Sequence, residues 1–187
     1  MCQSERVPAS ADSGSRPGDL RRLVVVRHAE AEQDGPTDFD RPLAERGHQD
    51  AAALGGWLAA YGVSPDHALV SAAVRARDTW TAIADRAGWD RDAEHDRGLY
   101  AADPDTALDL LRAVHDGART LVVVGHNPTM ASLAHLLDDG EGDPEAVAEM
   151  TAGGYPTAAA TVLAYDGPWA DLAEGRARVE AFHVGRA

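Results

Sequence analysis

Two short apolar segments, each followed by a histidine, constrain the fold of this chain most strongly. Residues 23–26 run directly into Arg27-His28, and residues 121–124 are followed two positions later by His126. Such β-branched runs are typical of parallel strands buried on both faces of an α/β sheet. Because ligands bind outside the carboxyl ends of such strands, we expect both histidines to lie at one crevice. Arg27 makes this crevice a predicted anion site.

The rest of the chain predicts an alternation of strands and helices. Strands are expected at 22–27, 68–71, 94–99, 120–124, 157–165 and 178–184, and helices at 43–61, 74–87, 104–115 and 128–137. The predicted fold is a single-domain, three-layer α/β/α sandwich with a mostly parallel central sheet, in which the two late strands are candidates for antiparallel pairing.

Local signals predict how some of these elements begin and end. Gly62 and Gly88 are expected to end two helices, and Asn127 is predicted to cap the helix that Pro128 opens. The acidic, glycine-rich segment 138–154 is expected to be an exposed loop, with a helical turn near 144–149.

Composition excludes several kinds of site. The formal net charge is −14, which argues against a broad basic face for nucleic acid or anionic membranes. All 17 basic residues are arginine, so a Walker A lysine and a Schiff-base lysine are excluded. The single cysteine, Cys2, excludes disulfides within the chain and cysteine-ligated zinc. Among the common covalent nucleophiles, histidine is therefore the residue type that remains, because two histidines follow predicted strands of one sheet.

Residues 1–19 are rich in Ser, Pro, Gly and Asp and lack an apolar core, which predicts a disordered tail and not a signal peptide. Residues 20–187 would then form the catalytic domain. No segment approaches the ~20 apolar residues of a membrane span. We expect a cytoplasmic protein without a membrane partner; its oligomeric state stays open.

A phosphoryl group is best held by guanidinium groups, which give paired hydrogen bonds to its oxygens. Arg27 is one candidate, and Arg75 is another because it falls on the first turn of a predicted helix. His28 is the candidate nucleophile, with one ring nitrogen unprotonated and the other held as a donor. His126, if protonated, would stabilise the phosphoryl oxygens, and Asn127 lies beside it. This chemistry needs no metal and no cofactor.

Three motifs together resemble the histidine phosphatase superfamily, also called phosphoglycerate mutase-like. They occur in the family's order and are Arg27-His28-Ala29, Ser71…Arg75…Thr79 and Gly125-His126-Asn127-Pro128. Segments 40–47 and 156–159 are similar to the small bacterial phosphohistidine phosphatase (SixA-type) branch. The resemblance implies that His28 is the nucleophile and that Arg27, Arg75 and His126 form the phosphate pocket.

The chain also departs from the family's pattern. Many relatives carry glycine where Ala29 stands, and the mutase branch commonly has asparagine where Asp34 stands. The inserted glutamate that donates a proton in the mutase branch has no clear equivalent here. Glu30 is the predicted proton donor, with Asp38 and Asp40 as alternatives. Since a phosphoramidate needs less acid assistance than an alkyl ester, this pattern favours phosphohistidine or aryl phosphates over sugar phosphates.

The sequence thus predicts a metal-independent phosphatase that acts on protein phosphohistidine or on a small phosphorylated metabolite. Two alternatives stay open: a phosphoglycerate mutase-type phosphotransferase, and a non-catalytic phosphate-binding module. Arg41 and Arg46 are interpreted either as residues of the pocket mouth or as surface ion pairs, and Arg77 with Asp78 as a solvated pair. The four tryptophans are expected to be packing residues, and the six remaining histidines to be surface or locally bonded residues.

Overall fold

The computed structural model describes residues 20–187, so the predicted tail 1–19 and Cys2 lie outside the described residues. The strands are β1 (Leu20–Arg27), β2 (His67–Ser71), β3 (Glu94–Asp96), β4 (Thr120–Gly125), β5 (Ala159–Asp166) and β6 (Ala177–Val184). The helices are α1 (Glu45–Ala60), α2 (Val74–Ala87), α3 (Pro104–Arg112), α4 (Thr129–Leu137) and α5 (Pro144–Ala152). Two short 3-10 turns occur at Gly98–Tyr100 and Trp169–Asp171.

The six strands form one mixed sheet in the order β3-β2-β4-β1-β5-β6. The strands from β3 to β1 pair in parallel, whereas β5 pairs antiparallel with β1 and β6 pairs antiparallel with β5. The prediction of a mostly parallel sheet is therefore matched in part: β3, β2, β4 and β1 are parallel, and the two late strands pair antiparallel, as the sequence allowed. In that block Arg27 pairs with Gly125, so β1 and β4 end at the same level.

Helices cover both faces of the sheet, as the predicted three-layer arrangement requires. Side chains of β1 alternate between two apolar clusters: Leu23 and Val25 face one, and Val24 and Val26 face the other. The first cluster includes residues of α3, α4 and α5, and the second includes residues of α1 and α2. This alternation is expected when each strand buries both of its faces.

Helices α1 and α2 approach each other closely at Gly55. A Cβ atom at this position would overlap the backbone carbonyl oxygen of Ile83 in α2. The absent side chain thus lets the two helices pack closely and fixes the position of α2, whose first turn carries Arg75.

The acidic segment 138–154 is more regular than predicted: the helical turn expected near 144–149 is a nine-residue helix, α5, and the segment is not mainly a loop. Asp143 accepts a hydrogen bond from the amide of Ala146 at 2.9 Å, and Pro144 occupies the first turn. Ala146 and Met150 lie one turn apart and are both buried. The Asp143 cap starts the helix, and the apolar pair gives it a buried face. The many acidic residues of the segment make this face hard to recognise in the sequence.

Other boundaries differ by a few residues. The edge strand predicted at 94–99 is only Glu94–Asp96, and Gly98–Tyr100 turns away as a 3-10 turn. Helix α3 ends at Arg112, before the predicted position 115. Within residues 20–187, none of the helices has both the length and the apolar character needed to cross a membrane.

Candidate active site

His28 and His126 meet at the carboxyl ends of β1 and β4, with their ring centroids 4.9 Å apart. The backbone of His28 is held from both neighbouring strands. Its amide donates to Gly125 O at 2.9 Å, and its carbonyl accepts from the amide of Ala158 at 3.2 Å. The sheet therefore fixes the position of this histidine backbone.

A hydrogen bond to its own neighbour sets the tautomer of His28. Nδ1 lies 2.7 Å from the carbonyl oxygen of Ala29, which can only accept, so Nδ1 carries the proton and Nε2 the lone pair. Burial is the largest of the causes that lower the pKa of His28 to about 4. The charges of Arg75, Arg27 and Arg41 act in the same direction, and the Ala29 hydrogen bond opposes them. At neutral pH this ring is thus uncharged, as a nucleophile requires.

His126 is buried, with 8% of its surface exposed, and is also neutral in the free protein. Burial is the largest of the causes that lower its pKa to about 3. The charge of Arg75, and that of His28 when protonated, act in the same direction, and Asp38 opposes them. Its Nε2 lies 2.8 Å from Ser71 Oγ, while its buried Nδ1 has no hydrogen-bond partner within residues 20–187. The expectation of a protonated His126 therefore does not describe the free state.

Arg75 reaches the site from the first turn of α2, but an acidic residue holds its guanidinium group. Its Nη1 donates to Asp38 O at 2.6 Å and its Nη2 to Asp38 Oδ2 at 3.1 Å. The same carboxylate accepts from the Tyr100 hydroxyl at 2.6 Å and from Arg41 Nη1 at 2.9 Å. Hydrogen bonds from Tyr100 and Arg41 hold the pKa of Asp38 well below its usual range, so Asp38 is an anion beside Arg75.

Arg27 and Asn127 converge on one carbonyl oxygen on the other side of the site. Tyr155 O accepts from Arg27 Nη1 at 2.8 Å and from Asn127 Nδ2 at 2.8 Å. The buried Tyr155 hydroxyl donates to Val25 O at 2.7 Å, which anchors this carbonyl to the sheet. In the described part of the chain, Arg27 Nε and Asn127 Oδ1 are buried without a partner.

Asn127 does not cap α4, so that prediction is wrong. The helix begins at Thr129, Pro128 stands at the cap position, and no side chain caps it. The Asn127 amide instead binds Tyr155, a residue that is distant in sequence. Asn127 thus makes a contact with a residue distant in sequence and does not make the local cap that the Asn-Pro pair predicts.

The three candidate proton donors occupy different places. Asp38 contacts Arg75 directly, as described above. Glu30 is exposed, and its backbone carbonyl accepts from the amide of Ala44 just before α1. Asp40 is exposed and accepts from the Thr37 hydroxyl at 2.7 Å.

The structure also resolves the secondary assignments. Both arginines form ion pairs: Arg41 pairs with Asp38, the residue that also holds Arg75, at 2.9 Å, and the exposed Arg46 side chain pairs with Asp50 at 3.8 Å. Asp78 accepts from the amide of Leu43 at 3.3 Å, so the prediction of a solvated pair with Arg77 is wrong for this carboxylate. Among residues 20–187, no three or more His, Cys, Asp and Glu side chains are grouped to hold a metal ion.

Two further residues support the site: Thr79, which the sequence motifs include without giving it a role, and Tyr155, which they do not identify. Thr79 accepts from the amide of Ala29 at 3.0 Å and donates to Arg75 O at 2.6 Å, which ties α2 to the segment after β1. Thr79 lies four residues after Arg75 in α2, and this spacing predicts that the two residues are neighbours on the helix. Tyr155 follows two glycines in a segment without periodicity, and no local pattern predicts its contacts.

Comparison with known proteins identifies the family to which the chain is similar. The family profile described as "Histidine phosphatase superfamily (branch 1)" matches residues 23–103, which include Arg27, His28 and Arg75. An uncharacterised protein of Mycobacterium tuberculosis (strain ATCC 25618 / H37Rv) is 42% identical over 162 residues, covering 86% of this chain and 100% of the relative. The phosphohistidine phosphatase SixA of Escherichia coli (strain K12) is 27% identical over 132 residues. This match covers 66% of the present chain and 78% of the relative.

The fold is also similar to a solved structure. A chain from Nakamurella multipartitia, assigned as a phosphohistidine phosphatase SixA, superimposes with a TM-score of 0.79 at 31% identity. The match covers 92% of this chain and 100% of that chain, so it extends beyond the profile to β4, β5 and β6. The order of the motifs, the mixed sheet and these matches show that the chain belongs to the histidine phosphatase superfamily.

Proposed function

We propose that this protein is a metal-independent phosphatase that forms a covalent phosphohistidine intermediate on His28. The observation that carries the proposal is the state of the His28 ring, which is neutral and has its Nδ1 proton committed to Ala29 O. The lone pair of Nε2 is therefore available beside His126.

The reaction proceeds in two balanced steps. In the first, His28 Nε2 forms a bond to phosphorus while the bond from phosphorus to the leaving group breaks. The leaving group takes its proton from Glu30, which we retain as the proposed donor because Asp38 is held as an anion. In the second, a water oxygen forms a bond to phosphorus and gives a proton to the Glu30 carboxylate, while the bond from phosphorus to His28 Nε2 breaks. Inorganic phosphate departs, and both His28 and Glu30 return to their starting states.

The phosphoryl group would be bound by Arg27, Arg75, His126 and Asn127. Buried donors without partners call for an explanation, and Arg27 Nε together with His126 Nδ1 would be satisfied by the oxygens of an anion. Arg75 would bind phosphate by exchanging its contacts with Asp38 for contacts with the substrate. The guanidinium groups would offset the negative charge that develops on the phosphoryl oxygens, a role that a metal ion has in other enzymes.

The proposed substrate is a phosphohistidine on a protein or a small phosphate ester. The Escherichia coli relative is named as a phosphohistidine phosphatase, which supports this class. The chemistry of the site points the same way, because the acidic residue in contact with Arg75 is ionised and is not poised to protonate a poor leaving group. A phosphoramidate is the substrate that depends least on such a donor.

The test is phosphate release in EDTA from a phosphohistidine peptide and from an aryl phosphate. Wild type should release phosphate, His28→Ala should not, and His135→Ala, which alters an exposed histidine of α4, should behave as wild type. Equal turnover by wild type and His28→Ala would refute the assignment of the nucleophile. Binding of inorganic phosphate without any turnover would favour the non-catalytic module, and transfer to a second hydroxyl would favour the phosphotransferase.

A further inference from the structure

Ser71 and His126 form a buried hydrogen bond that the two steps above do not use. Ser71 is 0% exposed and His126 is 8% exposed, and the Ser71 Oγ to His126 Nε2 distance is 2.8 Å. Ser71 ends β2, His126 follows β4 and His28 follows β1, and β4 lies between the other two strands. Ser71 thus contacts His126 from the β2 side, while His28 lies on the opposite, β1 side.

We propose that Ser71 is a positioning residue that fixes the tautomer of His126, so that its neutral ring presents an Nδ1–H donor to the phosphoryl group. The inference rests on the proposed function, because it assigns how His126 recognises the phosphate of that same site.

The hydrogen-bonding capacity of Ser71 favours this tautomer. A serine hydroxyl donates one hydrogen and accepts with two lone pairs. The amide of Ala73 lies 3.4 Å from Ser71 Oγ and takes one lone pair, so a hydrogen and one lone pair remain for His126 Nε2. If Nε2 carried the proton, the buried hydroxyl hydrogen would have no acceptor among the described residues. If Ser71 donates to Nε2, the hydroxyl hydrogen is satisfied and the ring proton resides on Nδ1.

The tautomer of His126 matters for phosphate binding because it decides whether Nδ1 carries a hydrogen. His126 Nδ1 is buried without a partner in the described part of the chain. The two nitrogens of an imidazole point in divergent directions, so Nδ1 faces away from Ser71. A lone pair there would repel the oxygen of an anion, whereas an N–H would donate to it. Ser71 thereby makes a neutral histidine a phosphate-binding donor, and His126 need not gain a proton before substrate binds.

Hydrogen–nitrogen NMR spectra of the isotope-labelled protein, recorded with and without inorganic phosphate, test the inference without any substitution at Ser71. The His126 signal is identified by its loss in His126→Gln. We expect a protonated Nδ1 and an unprotonated, hydrogen-bonded Nε2 in both states. A proton on Nε2 alone, or a doubly protonated ring in the phosphate complex, would overturn the proposal.

Substitution of Ser71 links the tautomer to the rate. Ser71→Ala should lower kcat/KM roughly tenfold, the scale expected for one buried hydrogen bond, and should convert the His126 signal into a mixture of tautomers. Ser132→Ala, a half-buried serine of α4, should change neither. A loss of rate in Ser71→Ala with an unchanged tautomer would show a merely structural role and refute the inference. Retained turnover in His28→Ala would instead defeat the proposed function, whichever tautomer His126 adopts.

Discussion

At the scale of single residues, the catalytic proposal depends on two histidines, His28 and His126. Both stay neutral at pH values at which an ordinary histidine gains a proton. Burial holds the pKa of His28 at about 4 and that of His126 at about 3. The pKa of an unperturbed histidine is about 6.5. The nucleophilic form of His28 is therefore present across the whole physiological range.

NMR titration of the free protein measures this directly. We expect the ring signals of His28 and His126 to remain those of neutral imidazoles as the pH falls from 8 to about 5. The signals of the two rings are identified by their loss in His28→Ala and in His126→Gln. A His28 ring that becomes an imidazolium above pH 5 would show that the site does not hold it neutral.

The contact between Asp38 and Arg75 yields a prediction on anion binding. The carboxylate lies 3.1 Å from Arg75 Nη2 and competes with a phosphate for this cation. Asp38→Asn removes the competing charge and should tighten vanadate binding several-fold, as measured by inhibition of turnover. Asp40→Asn is the matched control, because Asp40 lies in the same loop but bonds to Thr37. Weaker vanadate binding in Asp38→Asn would show that Asp38 serves chiefly to orient Arg75.

At the scale of secondary-structure elements, the packing of α1 on α2 positions the first turn that carries Arg75. Two neighbouring glycines of α1 meet different surroundings: a Cβ at Gly55 would overlap Ile83 O, whereas a Cβ at Gly56 would lie 3.6 Å from the end of the Arg86 side chain. The first position therefore requires glycine for a close backbone approach, and the second does not.

Alanine at these two positions should have opposite effects on the free energy of unfolding. Gly55→Ala should destabilise the fold by about 1–3 kcal/mol because the helices must move apart. Gly56→Ala should be neutral or stabilising by up to about 1 kcal/mol, since alanine favours a helix interior. Urea denaturation of both variants checks the pair. Equal stabilities would mean that the helices do not approach as closely as the structure shows.

Much of this architecture follows from local patterns in the sequence. The β-branched runs of β1 and β4 predict adjacent strands, and the expected meeting of Arg27, His28, Arg75 and His126 follows from the sheet that they form. Only a helical turn near 144–149 is predicted where the whole of α5 forms, because acidic residues obscure the buried face of this helix. The contacts of Asp38 with Arg75 and of Tyr155 with Arg27 join distant segments, and no spacing in the sequence specifies such pairs.

For the whole molecule, the neutral histidines couple stability to pH. The folded-state pKa of His126 is about 3, below the unfolded value of about 6.5, so the unfolded chain binds more protons between these values. The free energy of unfolding is therefore highest above about pH 6.5 and falls on acidification, by up to about 1.4 kcal/mol per pH unit for each such histidine.

Denaturation between pH 7 and pH 4.5 in wild type and His126→Gln tests this linkage. The variant should lose stability less steeply as the pH falls, because one proton-binding difference between the two states has been removed. His135→Gln, which alters an exposed ring, should keep the slope of wild type. Identical slopes in wild type and His126→Gln would contradict the low pKa of His126.

Covalent catalysis by His28 is the central claim, and trapping the phosphorylated protein tests it most directly. Wild type mixed with a phosphohistidine peptide or an aryl phosphate should be quenched in base, which preserves phosphohistidine, and digested for mass spectrometry. We predict a phosphoryl group on the peptide that contains His28, none in His28→Ala, and its disappearance as inorganic phosphate accumulates. Release of phosphate by wild type with no phosphoryl group on His28 at any time would contradict the mechanism.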